Sequence, residues 1–170
     1  FYQYYPYDTC WGPMHWGHAK TKDFIRWEFL PAALAPDREY DGQGCFSGSA
    51  LEEETEEGKR QILLYTGVRE TDENGVHRVF QTQCVAVGDG LDYVKSGHNP
   101  VILPDLLPEG SVRQEFRDPK IWKEGSQFFA ILGNKTTEDC GQIALFSSKD
   151  VENWKFEGIL DRGEKGQGKM

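Results

Sequence analysis

The chain has 170 residues, 38% hydrophobic and 13% aromatic, which is enough for one globular domain with a buried core and excludes a disordered segment. Its 19 Lys+Arg against 28 Asp+Glu give a formal charge of -9, a balance that repels phosphate backbones and excludes nucleic acid as a partner. There is no run of about 18 apolar residues, so no membrane partner is expected.

The first residues, FYQYYPY, are an aromatic, strand-like run with neither the basic start nor the apolar middle of a signal peptide. The chain opens on Phe1 inside that run and breaks off at Met170 after the Gly-rich DRGEKGQGKM, so it is expected to be an internal piece of a longer protein. Strand-like runs follow in order: MHWGHAKT, CFSGSALEE, QILLYTGV, QTQCVAV, EFRDPKIWKEG, QFFAILGN and QIALFSS. Only PDLLPEGSVRQEF offers a helical turn, and its prolines keep that short. The acidic run Glu52 to Glu57 reads as the solvated tip of a hairpin.

One pattern recurs three times, with an aromatic four residues after an aspartate: Asp23 to Trp27, Asp89 to Tyr93 and Asp150 to Trp154. The copies lie 66 and 61 residues apart and share their flanks, so they mark a repeat. Each unit reads as four antiparallel strands over about 60 residues, the blade of a β-propeller. The expected blades are residues 1–40, 41–105 and 106–170, the first from its second strand onward. Trp27 and Trp154, as repeat members, are assigned to packing between blades. Aligning Phe46 with Phe116 makes Ser47 and Gly48 equivalent to Arg117 and Asp118.

Four cysteines, Cys10, Cys45, Cys84 and Cys140, show no C-x-x-C pair and no nearby histidine, so free thiols in a reducing cytoplasm are expected. His15 and His18 sit three apart on a strand and face opposite sides, so neither a metal site nor a cofactor is expected. Pro119 cannot donate to a sheet ladder, which places EFRDPKIW on an inner edge strand with polar residues turned to the axial funnel. Asp-Pro is also a common turn dipeptide, and neighbours on a regular strand face opposite sides, so this pattern leaves a structural role for Asp118 open.

The segments FYQYYPYDTCWGPMHWGHAKTKDFIRWEFLPAALAPD, GCFSGSA and FRDPKIW, in that order, resemble glycoside hydrolase family 32, the β-fructofuranosidases, which include invertases and sucrose-6-phosphate hydrolases. The resemblance runs from Phe1 to Met170 and implies an all-β chain, about three blades of a five-bladed propeller whose parent usually carries a C-terminal β-sandwich absent here. It implies hydrolysis of terminal β-fructofuranosides with retention, by two carboxylates about 5 to 5.5 Å apart. The family nucleophile, in an Asn-Asp-Pro-Asn-Gly motif, and the acid/base, in a Glu-Cys-Pro motif, are both outside the chain. Glu138 does not supply the second motif, because Asp139 separates it from Cys140 and no proline follows.

The resemblance implies that Asp118 is the third carboxylate, which holds two fructosyl hydroxyls and stabilises the transition state, with Arg117 beside it. Gln3 resembles a sugar-contacting glutamine, Trp11 the tryptophan that walls the pocket, and Phe46 with Ser47 the pair at its floor. A cytoplasmic enzyme acting on sucrose or sucrose 6-phosphate is the leading expectation, although secreted levanases and inulinases share these motifs. A non-catalytic propeller that binds carbohydrate or protein is the alternative.

Overall fold

The computed structural model describes residues 2–4, 12–56 and 58–165. Among them, eleven strands fall into three consecutive antiparallel groups. The first group is β1 (Tyr2–Tyr4), β2 (Met14–Thr21) and β3 (Trp27–Leu34). The second is β4 (Gly44–Thr55), β5 (Gly58–Glu73), β6 (Val76–Gly88) and β7 (Tyr93–Lys95). The third is β8 (Ser111–Glu124), β9 (Gln127–Thr136), β10 (Gly141–Ser148) and β11 (Trp154–Arg162). One parallel bridge, Met14 to Gly44, joins the first group to the second. The helical turn expected in PDLLPEGSVRQEF is a single 3₁₀ turn, Pro104–Leu106, with proline at its start.

The three repeated aspartates do the same job. Each lies in the turn between the last two strands of its group and accepts two backbone N–H groups on one side-chain oxygen. These come from Ile25 and Arg26, from Leu91 and Asp92, and from Glu152 and Asn153. The residue after each aspartate, Phe24, Gly90 or Val151, is left-handed, with φ of 60°, 95° and 65°. The repeat is therefore a turn device, and the aromatic four residues on opens the next strand.

Two cores lie between the groups. Leu34, Cys45, Leu63, Tyr65, Cys84 and Ala86 pack the first group on the second. The opposite face of the second group, with Ile62, Leu64 and Val85, packs on Phe116, Ile121, Phe128, Ala130, Leu132 and Phe146 of the third. Strict alternation makes this possible: on β9, Phe128, Ala130, Leu132 and Asn134 are buried while their neighbours are not. A second group that buries one face against the first and the other against the third, with β4 against β8, makes the chain an all-β segment of a propeller.

The first core also holds a buried charge. Asp41 is fully buried and accepts hydrogen bonds from Tyr65 Oη at 2.8 Å, Lys95 Nζ at 2.5 Å and the Arg38 N–H at 3.0 Å. Burial alone would lower the Lys95 pKa, but the hydrogen bonds it donates to the Asp37 and Asp41 carboxylates outweigh it and raise it. Cys45, Cys84 and Cys140 are free and buried, and burial pushes the Cys84 thiol up to about 12. Cys10 lies outside the described residues.

Two packing expectations need correction. Trp154 is buried in the second core, but Trp27 is 41% exposed, on a strand that pairs on one side only. The acidic run does form the β4–β5 hairpin tip, with Glu52 exposed beside Lys59 at 2.6 Å. Glu53 is the exception, because strand alternation turns it toward the third group, where it sits 10% exposed between Arg60 and Lys123.

Candidate functional site

Arg117, Asp118 and Pro119 lie on β8, but not as a regular strand. Arg117 pairs with Gly133 and Lys120 with Ile131, so β8 carries one more residue than β9 over this stretch. This is a β-bulge, and Asp118 within it is left-handed, with φ 61°. The bulge removes the alternation that would separate Arg117 and Asp118 onto opposite faces, leaving Arg117 Nε 4.0 Å from an Asp118 carboxylate oxygen.

β4 has the same feature, with Cys45 pairing to Gly67 and Gly48 to Tyr65. With Asp89 matched to Asp150, Gly88, one residue before its aspartate, faces Gln61, and Ser148, two residues before its own, faces Phe128, which sets Gln61 level with Gln127. Counting from there, Cys45 is equivalent to Arg117 and Phe46 to Asp118. This corrects the equivalence of Ser47 and Gly48 with Arg117 and Asp118 by two residues, because hydrogen-bond register and not matching phenylalanines sets the level of a strand. The bulge of each inner strand thus holds a predicted site pair or part of one: Phe46 and Ser47 on β4, Asp118 on β8.

Side chains of the second group satisfy the backbone that the β8 bulge frees. Asp118 N–H donates to Thr66 Oγ1 at 3.1 Å, and Ile121 N–H to Ser49 Oγ at 2.8 Å. Ser49 Oγ donates to the Pro119 carbonyl at 2.9 Å, and Gln83 Nε2 to the Phe116 carbonyl at 2.9 Å. Gln81 Oε1 accepts the Phe116 N–H at 3.1 Å and Arg117 Nη1 at 3.2 Å. Pro119 is tolerated for two reasons: its missing donor falls in a bulge, and its carbonyl is satisfied from the neighbouring sheet.

The Asp118 side chain is 54% exposed, and Arg117 also pairs with Glu115. Arg117 and Asp118 line one cleft of about 320 Å³ with Lys120, Ile131, Gly133 and Ile143. Phe46 and Ser47 do not line it; they sit on the adjacent inner strand, whose Phe46 carbonyl accepts Trp16 Nε1 at 3.0 Å. The backbone of Gln3 pairs with His15, one residue from the Tyr4, Met14 and Gly44 level where β1, β2 and the start of β4 meet. Trp11 lies outside the described residues. Glu138 is an exposed residue of the β9–β10 turn.

Residues 1–170 match the model of the glycosyl hydrolases family 32 N-terminal domain. The chain belongs to glycoside hydrolase family 32. A sucrose-6-phosphate hydrolase of Zymomonas mobilis is 38% identical over 94% of this family 32 chain and 30% of the relative. A raffinose invertase of Escherichia coli is 35% identical over 100% of the chain and 34% of the relative. A Bombyx mori β-fructofuranosidase mutant solved in complex with sucrose matches at TM-score 0.78 and 38% identity, over 99% of the chain and 33% of that structure. A Lactobacillus gasseri sucrose-6-phosphate hydrolase matches at TM-score 0.77 and 29% identity, over 94% and 31%. The chain spans about a third of the length of these relatives.

Sequence reasoning on this family 32 chain missed Thr66, Gln81, Gln83 and Glu115. A signal for two of them exists, because QTQ puts glutamines two apart just before the apolar run CVAV, where both share the face of buried Val85. A buried glutamine must find partners, and that requirement points to an unpaired backbone across the interface.

Proposed function

We propose that the whole protein hydrolyses terminal β-D-fructofuranosides such as sucrose or sucrose 6-phosphate, with retention and through two carboxylates supplied outside these 170 residues. A small carbohydrate is the partner this reading requires, and three buried free thiols suit the cytoplasmic placement that goes with it. The observation that carries the proposal is Asp118, an exposed carboxylate lifted from its strand by a left-handed bulge and flanked by Arg117, within a family 32 chain.

Asp118 contributes by accepting hydrogen bonds from two fructosyl hydroxyls, bonds that strengthen as positive charge develops on the ring. Arg117, held by Gln81 and Glu115, keeps a fixed positive charge beside that carboxylate. Phe46 and Ser47 supply the pocket floor, Trp11 walls the pocket, and Gln3 contacts the sugar near the nucleophile.

In the full-length protein, Asp118→Asn is expected to lower kcat for sucrose by about 10²- to 10³-fold while KM changes little. Wild-type kcat with only a raised KM would reduce Asp118 to a ground-state contact. No fructose release by the unsubstituted protein would favour the non-catalytic propeller.

A further inference from the structure

Thr66 on β5 and Gln83 on β6 are both fully buried in the middle of the second group. Neither lines the cleft that contains Asp118. Their hydrogen bonds form one relay toward β8. Gln83 Nε2 donates to the Phe116 carbonyl at 2.9 Å, Thr66 Oγ1 donates to Gln83 Oε1 at 2.9 Å, and the Asp118 N–H donates to Thr66 Oγ1 at 3.1 Å. The relay therefore grips the backbone on both sides of Arg117.

Two polar side chains on the face of Ile62, Leu64 and Val85 carry a desolvation cost that apolar residues of similar volume would avoid. What they satisfy is the backbone of the bulged stretch. A left-handed aspartate is a minority conformation and persists only where its surroundings hold it. Asp118 has that conformation, and its own N–H is the group Thr66 holds.

We propose that Thr66 and Gln83 are positioning residues that keep Asp118 in the left-handed bulge and thereby aim its carboxylate at the fructosyl ring. Thr66 and Gln83 thus control turnover at a carboxylate that they reach only through the backbone. This rests on the role given to Asp118 above.

The test is sucrose kinetics and thermal unfolding of the full-length protein as wild type, Thr66→Val, Thr66→Ser, Asp118→Asn and the Thr66→Val, Asp118→Asn double variant. Thr66→Val, which removes the hydroxyl at nearly constant volume, is expected to lower kcat about ten- to a hundredfold and move KM less than about threefold. Thr66→Ser keeps the hydroxyl and should stay within about threefold of wild type. In the Asp118→Asn background Thr66→Val should remove little more, because both act through one group.

If Thr66→Val does not fold, Gln83→Met takes its place with the same expectations. The positioning role is overturned by a folded Thr66→Val protein with wild-type kcat, or by a Thr66→Val loss as large in the Asp118→Asn background as in the wild type. Undiminished kcat in Asp118→Asn overturns the reading of Asp118 itself, whereas a crippled Asp118→Asn beside an unaffected Thr66→Val overturns only the relay.

Discussion

The Ser49 hydroxyl donates to the Pro119 carbonyl at 2.9 Å and, on its other side, accepts the N–H of Ile121 at 2.8 Å. One side chain of β4 thus replaces the ladder bonds that the bulge takes from β8. Ser49→Ala leaves a buried N–H without its acceptor, and the expected loss is about 1–3 kcal/mol. A lower urea midpoint at unchanged m-value checks this; an unchanged midpoint would mean that water or a shifted β8 satisfies the same groups.

Lys95 and Asp41 form a buried ion pair at 2.5 Å between the first and second groups. Lys95→Met leaves the fully buried Asp41 with Tyr65 and a backbone N–H but no countercharge. The expected destabilisation is about 3–5 kcal/mol, because a stranded buried charge costs more than the pair contributes. Equilibrium unfolding of the two proteins decides it, and a loss below about 1 kcal/mol would contradict the burial of Asp41.

Asp150 has its pKa lowered from 3.8 to about 2, mainly by the backbone N–H of Asn153 and also by that residue's side chain. A depressed folded pKa stabilises the fold above the unfolded value and is lost as pH falls. The contribution of Asp150 is therefore complete above about pH 4 and vanishes as pH drops through about 2. Urea midpoints measured from about pH 5 down to about 1.5 should fall less steeply for Asp150→Ala than for wild type. Parallel curves would show that the turn does not depend on the charge.

Phe24 occupies a left-handed position, φ 60°, and is 83% exposed. Glycine takes that conformation without the Cβ clash, while the lost ring buries little, so Phe24→Gly should stabilise by about 0.5–1 kcal/mol. A lower melting temperature for Phe24→Gly would instead credit the edge-on contact between Phe24 and Trp27 at 6.5 Å.

Local chemistry makes part of this protein legible from its letters. Alternation separates Phe128, Ala130 and Leu132 from their neighbours, and an aspartate that accepts the N–H groups two and three residues ahead needs nothing beyond its own turn. The repeat, the strands and the order of the groups follow from such contacts. The segments around Phe46, Ser47, Arg117 and Asp118 likewise carry the family resemblance in consecutive letters, and the family match supports it.

Tertiary structure alone decides the level of one strand against another and the aim of each side chain. Matching Phe46 to Phe116 misplaces the inner strands by two residues, because register is set by pairing on β5 and β9 and then altered by a bulge in each inner strand. Thr66 meets Asp118 across 52 residues of chain and Ser49 meets Pro119 across 70, so no local pattern contains either bond. Trp27 and Trp154 share a repeat position, yet one is exposed and the other buried, since burial depends on which sheet face lies opposite. The sequence thus determines which residues belong to turns, strands and the family motifs. Hydrogen bonds and packing between distant sheets determine where the carboxylate points, because those bonds form only once the sheets have stacked.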